Sequence, residues 1–185
     1  MQNIDFNELR DKAYQTACYH GFHDCNYSDE HLLMLVITEV SEAIQADRKG
    51  KRVRKDAEGT YRHIQKDKFY MFAYENYIEG IVESELADVV IRLLDLAGLR
   101  EIDVKPYDVA LAPEDYYNLT ECCYYICKIL TENRKGDKTW VEGIINHVIS
   151  YILSLAESMD IDILWFIEQK MQYNERREKM HGAKY

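Results

Sequence analysis

Proline occurs at only two positions, Pro106 and Pro113, and both fall in one stretch near the middle of the chain. Proline is the strongest breaker of a helix interior, so the chain on either side is free to run in long helices. Glycine is also sparse, with eight in 185 residues, and the apolar residues recur at helical rather than strand spacing. The expected fold class is all-α: a helical bundle built around a four-helix core, with the two prolines in the loop between its halves. A chain of this length suits one domain and hides roughly 70% of its unfolded surface. With 47% hydrophobic and 30% charged residues, it has the composition of a globular protein rather than a disordered one.

Helices are expected at about 5–20, 28–49, 79–97, 114–134, 138–159 and 161–180. Asp5 and Glu8 fit a capping box at the first start, and Gly21 fits its stop. Ser28 and Asp29 open the second helix, and Gly50 closes it. Gly98 is the expected stop of the third helix and Gly136 of the fourth. The run HLLMLVITEVSEAI is apolar almost all round, which predicts a central, buried helix. Residues 51–78 differ. KRVRKDAEGTYRHIQKDK is charged and poorly patterned, and reads as a flexible, mostly basic loop before a short helix containing FYMFAYENY. Most of the fifteen tyrosines are expected between helices.

The formal net charge is -10, which argues against a broad basic face for a nucleic-acid polymer. No apolar run approaches the roughly 18–20 residues of a membrane span. The opening MQNIDFNELRDKAY has no apolar core of a secretory signal. The five cysteines are odd in number, and Cys122, Cys123 and Cys127 cluster in a helical pattern. Reduced thiols and a cytoplasmic location are expected. Cys18, His20, His23 and Cys25 are packed too closely in sequence for a tetrahedral zinc site.

Two segments of the second half echo the first. YNLTECCYYICKILTENRKG (117–136) aligns without a gap to HLLMLVITEVSEAIQADRKG (31–50), and IINHVISYILSLA (144–156) to ELADVVIRLLDLA (85–97). The expected organisation is one domain over 1–185. Its first helix-pair unit covers about 28–100, with 51–78 inserted, and a degenerate second unit covers about 114–160. A last helix and tail cover 161–185. The copies differ at their acids. Glu39 aligns with Tyr125, Glu42 with Lys128, Glu85 with Ile144 and Asp88 with His147, which reads as a satisfied core histidine.

Glu39-x-x-Glu42 and Glu85-x-x-Asp88 each lie mid-helix, and i,i+3 spacing puts both members on one face. Two such faces opposed would gather four carboxylates. Four ionised acids in an apolar bundle are prohibitively costly unless protonated or neutralised by a hard cation. Oxygen ligands suit Mg²⁺ or Mn²⁺ rather than zinc. A di-iron bundle would need Glu-x-x-His motifs, and neither acidic motif has a histidine at that offset. The competing reading is of solvated acids on helix exteriors. Glu79, Glu83 and Asp95 fit it well. Glu39, between Leu35, Val36, Val40 and Ala43, and Asp88, among Leu86, Val89 and Val90, do not.

These motifs, followed by Lys170-x-x-x-Asn174-x-x-Arg177 and His181-Gly182, and preceded by Gly21-Phe22-His23-Asp24, resemble the all-α nucleoside triphosphate pyrophosphatases. That superfamily contains MazG-like proteins and dimeric dUTPases. The resemblance runs from about residue 13 to the end. It implies a Mg²⁺-dependent enzyme that splits a nucleoside triphosphate into monophosphate and pyrophosphate. It implies Glu39, Glu42, Glu85 and Asp88 as metal ligands, with Glu39 or Glu42 acting on the attacking water. Lys170, Asn174 and Arg177 would reach the nucleotide. Three departures stand out. Thr38 replaces a frequent first glutamate, the segment between the acidic motifs is long, and a proline common near the late motif is missing.

Other residues stay open. Arg92, one turn after Asp88, suits a phosphate contact or a pairing with Asp88 or Asp95. Phe22 and His23 suit stacking on a base. His181 and Lys184 in the tail, and Lys51, Arg52, Arg54 and Lys55 in the insertion, suit closure over phosphates or plain solvation. The acid-free second half fits either a chain that completes the bundle alone or one that pairs as a homodimer. The other class of function is a non-catalytic helical module that binds nucleotides or a protein partner.

Overall fold

The computed structural model describes residues 5–64, 69–111, 118–132 and 137–179, with backbone alone at 55–58 and 64. These residues form eight α-helices and no strand: α1 (Phe6–His20), α2 (Asp29–Arg48), α3 (Lys55–Ile64), α4 (Tyr70–Tyr77), α5 (Val82–Leu99), α6 (Leu119–Thr131), α7 (Lys138–Ser158) and α8 (Ile163–Asn174). The all-α class is as expected. The helix starts follow local chemistry. Asp5, Ser28, Asn118, Asp137 and Asp162 each accept a backbone N–H of the first turn, which satisfies donors that the helix leaves orphaned. Gly21 closes α1 at φ +85, a conformation that costs glycine little. The expected stop at Gly136 lies outside the described residues.

The core is a ring of four helices in which α2 packs on α5, α5 on α7, α7 on α6 and α6 on α2. Helices α1 and α8 lie against α5 from outside the ring. The central helix is therefore α5, not α2. Thirteen residues of α5 are buried, among them Glu83, Ser84, Glu85 and Asp88. On α2 only one stripe is buried, Leu33, Val36, Glu39, Val40, Ala43 and Ala46, while Met34 is 54% exposed. An apolar run all round does not bury a helix unless neighbours surround it, and they surround α5 instead.

Gly98 does not stop α5, which continues to Leu99. A Cβ on Gly98 would stand 2.5 Å from Tyr14 Cβ, so this glycine lets α1 lie close against α5. The two helices run antiparallel: Arg10 donates to the Ile102 carbonyl at 3.0 Å, and Asn7 donates to that of Val104 at 3.4 Å.

The segment 51–78 is not a loop ahead of one helix; Lys55–Ile64 is itself helical. Tyr61, Tyr70 and Tyr74 are almost completely buried. Tyr61 OH donates to Gln169 Oε1 at 2.8 Å, Tyr70 OH donates to the Gln169 carbonyl at 2.6 Å, and the Tyr61 ring meets Trp165 edge-on at 5.6 Å. The charges that obscured the pattern surround aromatic anchors, each worth about 1.5–3 kcal/mol on burial. Through them the insertion holds α8 in place.

The five cysteines are free thiols. Burial pushes the Cys123 thiol up to about 12, so it is an inert packing group. Among the described residues no helix is long and apolar enough to cross a membrane.

Candidate functional site

The buried stripe of α2 delivers Glu39 to α5, and the opening turns of α5 deliver Glu85 and Asp88. One carboxylate oxygen from each lies within 4.8 Å of the other two. All three residues are at most 9% exposed. They stand in the wall of a cavity of about 440 Å³, which α8 lines with Lys170 and Asn174 and which Arg177, just beyond it, completes. Stretches of the chain far apart in sequence thus meet in one concave space.

Two cations hold the acids. Lys170 Nζ is 2.6 Å from Asp88 Oδ2, and Arg92 Nε donates to Glu39 Oε1 at 3.0 Å. That compensation is partial. Burial, then the neighbouring Asp88, push the Glu39 carboxyl up to about 7 against the pull of Arg92. The same two causes push Glu85 up to about 8 against Lys170. For Lys170, burial opposes the charge, but Asp88, Glu85 and Glu39 together outweigh it and hold the ammonium above its usual value. The cluster is short of positive charge near neutral pH. A set of three carboxylates, oxygen only and mutually close, fits a hard divalent cation such as Mg²⁺ or Mn²⁺.

Most of the residues singled out in the sequence converge here. Glu39, Glu42, Glu85, Asp88, Arg92, Phe22, Lys170, Asn174 and Arg177 all line the cavity. Glu42 differs from its partners: it is exposed and stands outside the tight group of three. Arg92 is paired, with Glu39 rather than with Asp88 or Asp95. The Asn174 Oδ1 atom is buried and, among the described residues, accepts no hydrogen bond. Buried acceptors are nearly always satisfied, so this one is open to a donor from beyond the described residues.

Other expectations are corrected. His23 does not line the cavity. Its Nε2 bonds Asp95 Oδ1 at 2.7 Å, and its ring leans on Tyr14. Asp95 and Glu83 are not solvated acids. Asp95 lines the cavity with its side chain 14% exposed, and Glu83, 3% exposed, accepts the Val53 N–H at 3.1 Å. Glu79 is exposed, at the cavity's edge. The spacing held the clue to Asp95, because 85, 88, 92 and 95 form one helical stripe. Thr38 bonds the Leu35 carbonyl on the exposed side of α2. Arg52 is held by Asp47 at 2.7 Å, away from the cavity. Cys18 and Cys25 are exposed, and the group found among the described residues whose geometry could hold a metal ion is the carboxylate trio, which contains neither. His147 is satisfied on both nitrogens, by Tyr107 OH at 2.6 Å and Tyr125 OH at 3.1 Å. His181 and Lys184 lie outside the described residues.

Comparison of the chain with protein-family models, with curated proteins and with solved structures found no match.

Proposed function

We propose that this chain is a divalent-metal-dependent nucleoside triphosphate pyrophosphohydrolase, releasing (d)NMP and pyrophosphate, with a role in clearing or balancing nucleotide pools. The observation that carries the reading is the convergence of Glu39, Glu85 and Asp88 with Lys170, Asn174 and Arg177 around one cavity. Carboxylates alone would repel a triphosphate of about four negative charges. A cation held by Glu39, Glu85 and Asp88 supplies the charge that reverses this field and the Lewis acidity that makes water reactive near neutral pH.

The chain's own groups do the rest. Glu42, one turn from Glu39 on the same helix and outside the tight trio, orients the water and takes its proton. The water oxygen bonds the α-phosphorus as the bond to the bridging oxygen of the β-phosphate breaks, and that oxygen leaves with the electron pair on pyrophosphate. Lys170 and the forked guanidinium groups of Arg92 and Arg177 neutralise the charge that develops there. Asn174 offers its buried acceptor to a hydroxyl of the sugar. The second half plays a structural part. Tyr125 and His147, aligned with Glu39 and Asp88, touch each other and carry no carboxylate.

The test is pyrophosphate release from a panel of NTPs and dNTPs with Mg²⁺ or Mn²⁺, beside an E39Q/D88N double variant. Turnover by the native chain with NMP as co-product, and silence from the variant, are expected. Release of single phosphate would overturn the bond assignment. Nucleotide binding without turnover would replace the enzyme by a binding module.

A further inference from the structure

The cavity has a second end. Glu85, Asp88, Arg92 and Asp95 recur at intervals of three, four and three along α5, and ten residues of helix carry that stripe about 15 Å. The carboxylate trio occupies its beginning. Toward its other end α1 crosses close, with Tyr14 against Gly98. There Ala13, Thr16, Ala17 and Phe22 line the space together with Asp95. The walls are small or aromatic with His20 among them, Arg92 borders this end, and its one carboxylate is Asp95.

That carboxylate is held in place. Asp95 Oδ1 is 2.7 Å from His23 Nε2, the two side chains are 14% and 10% exposed, and the His23 ring rests 5.3 Å from that of Tyr14. His23 is therefore a positioning residue. Each carboxylate oxygen has two lone-pair directions, so Asp95 keeps acceptor capacity for a ligand. Arg92 stands between the two ends, bonded to Glu39 on one side and 5.9 Å from the Phe22 ring on the other.

Resting on the pyrophosphohydrolase reading, we propose that this end receives the nucleobase and that Asp95 selects bases carrying an amino group. Cytosine, adenine and guanine present amino N–H donors, and aspartate accepting from the cytosine amino group is a familiar pairing. With an ionised acceptor such a bond is charge-assisted. Uracil and thymine present an N–H flanked by two carbonyl oxygens. Those oxygens would face the carboxylate and leave it poorly paired in a desolvated place. Sites built to hydrogen-bond a ligand reject analogues that lack the partner far more strongly than apolar pockets reject a size change. Phe22 supplies an aromatic face, which accepts any base and adds no discrimination of its own.

The test compares kcat/KM of the native protein with Mg²⁺ for dCTP, dATP and dGTP against dUTP and dTTP. The keto-only pair should be at least about tenfold poorer. Asp95→Asn, whose amide also offers N–H donors, should bring the two groups within about threefold, mainly through KM, while leaving the Mg²⁺-induced rise in Tm unchanged. Ala17→Leu, which narrows this end, should slow the purine substrates more than dCTP. Equal turnover of dUTP, dTTP and dCTP by the native chain would overturn the base assignment and leave the pyrophosphohydrolase reading standing. So would an unchanged ratio in a folded Asp95→Asn protein, or equal losses in Ala17→Leu. No turnover of any of the five by a folded, Mg²⁺-stabilised chain would overturn both.

Discussion

Lys170 is buried against the carboxylate of Asp88, and its charge is also of the kind a phosphate needs. In the metal-free protein its ammonium neutralises Asp88 at 2.6 Å. Removing one partner of a buried pair leaves an uncompensated charge and costs about 3 kcal/mol. Lys170→Met should therefore lower Tm by several degrees without metal. Mg²⁺ should restore most of that loss and none of the turnover, because a cation can replace the lysine at Asp88 but not at the phosphates. A second experiment separates the glutamates. Glu39→Gln should lose both Mg²⁺ binding, read by calorimetry, and activity. Glu42→Gln should keep binding and lose about 100-fold or more in kcat. Equal loss of Mg²⁺ binding in both would place Glu42 among the ligands. At this scale the sequence was legible at Glu39 and Asp88, two acids set among aliphatic residues and both buried. Asp95 was not, because an acid late in a leucine-rich helix looks solvated until the neighbouring helix is known to cover it.

At the scale of elements, the inserted segment is the instructive case. Helices α3 and α4 buttress α8, and α8 carries Lys170 and Asn174 to the cavity. Tyr61→Phe deletes one hydroxyl and strands the buried Gln169 Oε1, which should cost about 1–2 kcal/mol by urea denaturation. A value near zero would mean water replaces the hydroxyl. Tyr61→Ala should cost about 3–5 kcal/mol and should lower kcat as well, because α8 loses its support. Gly98→Ala tests the close crossing of α1 and α5. Its Cβ would meet Tyr14 Cβ at 2.5 Å, an overpacking worth about 1–3 kcal/mol, and it should shift the KM for nucleotide because α1 lines the cavity's far end. Both elements misled a reading by pattern. A run of lysines, arginines and acids hides a helix whose contacts are a few aromatics. A glycine near a helix end resembles a stop whether it ends the helix or admits a neighbour.

For the whole molecule the balance of charge links stability to pH. Glu39 and Glu85 titrate at about 7 and about 8 in the folded chain, against an ordinary value of 4.5. The folded state therefore holds more protons than the unfolded state between those values. Their contribution is fully present below the ordinary value and is lost as pH rises through the folded values. The metal-free protein should lose Tm between about pH 4.5 and about pH 8 from this source, at about 1.4 kcal/mol per unit of raised pKa. Mg²⁺ should raise Tm at the upper pH and do little at the lower, where protons occupy its ligands. A Mg²⁺ effect equal at both pH values would contradict a buried carboxylate site. The sequence by itself determined the helical class, the positions of most helices and the apolar setting of Glu39 and Asp88, because breakers, caps and i,i+3 spacing are local properties of the chain. Only the tertiary structure decided that α5 rather than α2 is central, that Glu42 stands apart from the trio, that Asp95 faces a cavity and that the insertion is packed. Each of those depends on which helix covers which face, and coverage is a property of neighbours that no single helix encodes.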